Sequence, residues 1–208
     1  KQPCVPAGGV LEFEATVQNV SSRLIPAGRG GAGSGHVYAA GMSWQSLAEA
    51  APAGVYSIGL TSDATDSQTY PWRWDPGEDL APGQTATITG GVQVPYVPGV
   101  QRWWFGTLLQ PGTVLEDGIA PAEITIEPVT AVVVVAREAV LQESPWPGAD
   151  SVMTLARGSR AEVLEYQDGW FLVRAEGTDA WVSETAVANA DVPEAPAATP
   201  VATSQEHA

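Results

Sequence analysis

The chain has 208 residues, 44% of them hydrophobic and 16% charged, and a formal net charge of −15 from 9 Lys and Arg against 24 Asp and Glu. That balance excludes disorder throughout, and so acidic a surface repels phosphate, which argues against nucleic acid and anionic membrane surfaces as partners. The 22 glycines and 17 prolines lie scattered between short apolar runs, the pattern of many short strands joined by turns.

Residues 1–9 form an N-terminal segment holding Cys4. As the only cysteine, it leaves no internal disulfide framework and no multi-cysteine metal cluster; a lone thiol there is placed to link two copies. No apolar run approaches the roughly 18 residues of a transmembrane helix. The sequence shows neither an initiating Met nor a signal peptide, so we expect a processed end and a secreted or cell-surface location.

From Val10 to Gln18 (VLEFEATVQ), Leu11, Phe13, Ala15 and Val17 alternate with Glu12, Glu14, Thr16 and Gln18. Period two predicts a half-buried antiparallel strand. Asn19-Val20-Ser21 spells a glycosylation triplet that chance explains. Ala27–Gly35 is too glycine-rich for a regular element and reads as a loop. Ser43–Ala51 is helix-compatible over about two turns. Strands are predicted at Gly54–Leu60, Thr85–Val94, Arg102–Leu109 and Ala122–Glu127, whereas Pro71–Gly77 and Ala81–Gln84 read as turns. The run TVQN, then LAPGQTATITGGVQVP, then Pro98-Gly99 and an aromatic strand resembles a bacterial Ig-like domain of the cell-adhesion-related type. The resemblance implies a β-sandwich over residues 10–128.

After a joint of about three residues, the pattern changes. Leu141-Gln142-Glu143-Ser144-Pro145, Leu155-Ala156-Arg157-Gly158, Asp168-Gly169-Trp170 and Ala180-Trp181-Val182 resemble a bacterial SH3-like domain, which implies a small β-barrel over residues 131–188. The loop departs from the family, with Gln142 in place of its arginine and Ser144 in place of its glycine. Residues 189–208, rich in Pro, Ala and Thr, are expected to form an extended tail.

Chemistry is sparse. His36 sits in a glycine-rich loop and His207 near the end, neither within a nucleophile motif. No metalloprotease, phosphate-loop or dinucleotide signature occurs. Asp63, Asp66, Asp75, Glu78 and Asp79 lack a calcium-loop register and read as solvated turn residues. We therefore expect no catalytic residue, no metal and no cofactor.

The eight tryptophans are the richest binding material. In Trp103-Trp104 one ring faces in and its neighbour out, which makes the pair an interface candidate. Val132, Val133, Val134 and Val135 form an uncharged β-branched run that reads as the first barrel strand and, at a sheet edge, would accept another strand. Trp146, Tyr166 and Trp170 are the ligand-binding candidates of the second domain. The expected function is a non-catalytic structural or adhesive protein acting through contacts with other copies, including self-assembly as a homo-oligomer. The alternative is a module binding cell-envelope components, peptidoglycan or its peptides.

Overall fold

The computed structural model describes residues 3–27, 32–47, 54–65, 70–110 and 112–192, and these are all-β. The first eight strands are β1 (Cys4–Pro6), β2 (Val10–Gln18), β3 (Val37–Tyr38), β4 (Tyr56–Ser62), β5 (Trp72–Trp74), β6 (Thr85–Gln93), β7 (Gly99–Leu109) and β8 (Thr113–Glu127). They form a five-stranded sheet, β1-β8-β7-β4-β5, and a three-stranded sheet, β2-β6-β3.

Alternation explains how the two sheets meet. On β2 the apolar set Leu11, Phe13, Ala15 and Val17 packs onto the core while Glu12 and Glu14 stay exposed. Phe13 places its ring 4.7 Å from Trp74 on β5 and 5.0 Å from Phe105 on β7, both edge-on. The Trp74 indole is fully buried, and its Nε1 donates to the His36 carbonyl at 2.9 Å. It fits because Gly90 on β6 has no side chain; a Cβ there would stand 2.5 Å from Nε1.

The remaining strands are β9 (Ala131–Val134), β10 (Glu138–Gln142), β11 (Ser151–Ala156), β12 (Arg160–Gln167), β13 (Trp170–Ala175), β14 (Thr178–Ser183) and β15 (Val187–Asn189). They form one curled sheet in the order β11-β10-β14-β13-β12-β9-β15. Phe171, Val173, Val182, Val132 and Val134 fill its inner face.

Two expectations need correction, and a third, conditional one is closed. Trp72–Trp74 is a strand and not part of a turn: Ile58, Gly59 and Leu60 of β4 pair with Trp74, Arg73 and Trp72, which supplies the backbone partners. Ser43–Ala51 forms only a 3-10 turn at Trp44–Ser46, and residues 48–51 lie outside the described residues. The valine run is not a free edge. Val132 and Val133 pair with Ala161 and Arg160 of β12 on one side, and Val132–Val134 pair with β15 on the other. With both backbone edges occupied, strand addition there is closed, and Val132 and Val134 point into the core. The tail from residue 193 onward lies outside the described residues.

Candidate functional site: an aromatic cleft at the junction

The segment after β6, Pro95-Tyr96-Val97-Pro98, carries a ring from the sandwich to the second sheet. Proline on either side of this pair stiffens the turn that presents it. Tyr96 meets Phe171 edge-on at 4.9 Å and Tyr166 at 5.9 Å, and Tyr166 in turn lies 4.9 Å from Phe171. On the other side of the contact, Asn189 of β15 donates from Nδ2 to the Ala7 carbonyl at 2.8 Å, fully buried. The two β bodies thus share one continuous core.

Beside this contact opens a cleft of about 240 Å³. Trp72 and Trp103 stack on one wall, with centroids 5.4 Å apart and planes 19° from parallel. Tyr96 and Tyr166 also line it, and Glu184 supplies a carboxylate. Among the described residues no basic side chain lines the cleft. Register puts the tryptophans together: β4 lies between β5 and β7 and pairs with both, so Leu60 faces Trp72 on one side and Phe105 on the other.

The polar groups are few and mostly committed. Tyr166 donates its hydroxyl to Glu184 Oε2 at 2.7 Å. Burial and this bond to Glu184 both push the phenol above its ordinary range, so it stays protonated and donating. Trp72 Nε1 donates to the Met42 carbonyl at 3.0 Å, and Thr65 Oγ1 to the Ser62 carbonyl at 2.6 Å. Trp103 is 3% exposed, and its buried Nε1 has no acceptor among the described residues. Flat π faces and one carboxylate favour apolar groups and cations. No protein-family model, curated protein or solved structure matches the chain.

The structure brings two predicted site residues, Trp103 and Tyr166, into this cleft and leaves the others elsewhere. Trp104 faces away from Trp103, half-buried, its Nε1 donating to Asp117 Oδ1 at 3.1 Å. Trp170 pairs with Gln167 while Tyr166 pairs with Phe171, so Trp170 takes the outer face of the sheet and cannot share a ligand with Tyr166. Trp146 is 57% exposed on the β10–β11 loop, its ring lying over Gly148. Sequence reasoning missed Trp72, Tyr96 and Glu184 as site members. The Pro-Tyr-x-Pro spelling around Tyr96 was the one available signal.

The other candidates do not converge. Asn19 is 1% exposed, its Nδ2 donating to the Arg23 and Leu80 carbonyls at 2.7 and 2.8 Å, so it is no glycan acceptor. Asp79 Oδ1 accepts from the Ala27 amide at 2.7 Å and Asp63 Oδ1 from the Arg102 amide at 3.1 Å, whereas Asp75 is buried and Asp66 lies outside the described residues. Among the described residues no cluster of three metal-ligating side chains occurs. His36 is half-buried, edge-on to Tyr38 at 4.6 Å, and burial lowers its pKa; His207 lies outside the described residues. Among the described residues no helix is long and apolar enough to cross a membrane.

Proposed function

We propose that this is a non-catalytic, extracellular or cell-surface structural protein that acts through protein–protein contacts and assembles with copies of itself. The observation that carries the reading is the junction cleft. It offers the half-buried rings of Trp72 and Tyr166, backed by the buried rings of Trp103 and Tyr96 and braced by a shared core, and aromatic anchors of that kind dominate binding energy at protein interfaces. The strand order supports an Ig-like reading of the sandwich, since β2-β6 lies opposite β4-β7-β8, the B-E and C-F-G arrangement of that fold. The Gly-Trp and Trp-Val positions on β13 and β14 support an SH3-like reading of the second body.

Sedimentation velocity of the intact chain tests the proposal. Mass should rise reversibly with concentration, and Trp72→Ala, which removes a half-buried ring from the cleft wall, should suppress the rise. A wild-type chain that stays monomeric at every concentration overturns it.

One observation favours the second reading, binding to cell-envelope components: Trp146 is 57% exposed on a loop. Retention on purified cell wall that Trp146→Ala abolishes supports it, and equal retention by the variant rejects it.

A further inference from the structure

The cleft has a complement on the same molecule. β2 and β6 pair without interruption from Val10 with Gln93, which lines the cleft, to Gln18 with Thr85 at the opposite end of the sandwich. At about 3.4 Å per residue the two ends are about 27 Å apart. There β2 runs into a loop, Asn19–Leu24, that exposes two aliphatic side chains, two serines and one cation. Val20 is 89% exposed, the highest value among the exposed large hydrophobics, and Leu24 is 55% exposed. Arg23 is exposed between them and forms no ion pair with another described residue.

This loop is held in shape from below. Buried Asn19 accepts at Oδ1 from the Ser21 amide at 3.0 Å and hydroxyl at 2.8 Å, and it donates to the Arg23 carbonyl at 2.7 Å. The Arg23 amide donates to Ser21 Oγ at 3.2 Å. A loop already ordered loses little entropy on docking.

Resting on the assembly reading above, we infer that the Val20–Leu24 loop of one copy docks in the junction cleft of the next. The Arg23 guanidinium meets the Glu184 carboxylate and the half-buried rings of Trp72 and Tyr166, and Val20 and Leu24 cover the apolar rim. Among the described residues the cleft offers a carboxylate with no basic partner on its walls, and the loop offers a cation with no acid of its own, so the charges are complementary. Guanidinium over indole is the favoured cation–π pairing. Because loop and cleft lie at opposite ends of one sandwich, the contact is head-to-tail: a docked pair keeps one free loop and one free cleft, and assembly continues as a chain or closes as a ring. The net charge of −15 per copy opposes association at long range. Charges more than about 8 Å apart are largely screened at physiological ionic strength, so the short-range contact decides.

Sedimentation velocity separates the possibilities, using the intact chain, Arg23→Glu, Glu184→Gln, Glu184→Arg, and the charge-swapped double variant Arg23→Glu/Glu184→Arg, each checked for folding by circular dichroism. Glu184→Gln keeps an acceptor for Tyr166 and removes only the charge. Each single variant should associate at least tenfold more weakly than wild type, and the double variant should recover. An equimolar mixture of Arg23→Glu and Glu184→Gln should stop at the dimer, since each partner retains one competent end. Folded single variants that associate like wild type, or a folded double variant no better than the singles, overturn this inference and leave self-assembly standing. A wild-type chain that never associates removes both.

Discussion

Asp75 is the residue whose chemistry is most at odds with its surroundings. It is 3% exposed, its Oδ2 has no partner among the described residues, and burial pushes its pKa from an ordinary 3.8 up to about 6. The folded state therefore holds a proton that the unfolded chain releases between those values. The contribution to stability is complete below pH 3.8 and lost as pH rises through about 6. At about 1.4 kcal/mol per pKa unit, the charged form costs at most about 3 kcal/mol at neutral pH. Asp75→Asn should accordingly stabilise the protein at pH 7 by about 1–3 kcal/mol. The gain over wild type should shrink toward zero as pH falls from 6 to 4, as urea titrations across that range would reveal. A difference independent of pH would contradict the assignment. The comparison must be made between the two proteins, because Asp117 and Asp179 are shifted the other way, by hydrogen bonds from Tyr70 and Arg174 respectively, and lose stability in acid.

At the scale of strands, two glycines create what neither strand shows alone. Gly59 of β4 pairs with Gly106 of β7, and buried Tyr70 lies across both. A Cβ on Gly59 would stand 2.6 Å from Tyr70 Cβ, and one on Gly106 would run into the phenol ring and stand 2.8 Å from the Glu116 carbonyl. The slot holds Tyr70 at φ 59°, a left-handed conformation that a bulky residue adopts only when its surroundings compel it. The tyrosine hydroxyl then bonds to the Asp117 carboxylate, and burial together with that bond raises its pKa to about 12. Gly59→Ala and Gly106→Ala should each cost about 1–3 kcal/mol through overpacking. Gly33→Ala, with nothing within 4 Å of its Cβ, should stay within about 0.5 kcal/mol of wild type. Chemical denaturation of the three variants checks this, and equal effects at all three sites would refute the slot.

At the scale of the molecule, Tyr96 is the hinge pin between the two β bodies. It is 7% exposed, packs on Tyr166 and Phe171 from one side and leaves no room for a side chain at Gly8 on the other. Tyr96→Ala should cost about 3–5 kcal/mol, as expected for truncating a buried aromatic. It should also split one calorimetric transition into two, because the bodies lose their shared core. A single transition in the variant would mean that the Asn189–Ala7 bond and the short joint suffice to couple them.

Local pattern was enough for the all-β class and for strands such as β2, where alternation over nine residues leaves one apolar face and one buried solution. It was enough, too, for one ring of Trp103-Trp104 turning inward and the other outward, since neighbours on a strand must diverge, whereas the structure decided that Trp103 is the inner one. It was not enough for β5, whose three residues become a strand only when β4 offers its edge. Nor did it assemble the cleft: Trp72, Trp103, Tyr96, Tyr166 and Glu184 span more than a hundred positions, and what unites them is sheet order and the docking of one β body on another. Periodicity encodes which face a residue takes within its own strand. Which face then meets which is decided by packing between strands distant in sequence, and that information exists only in the folded chain.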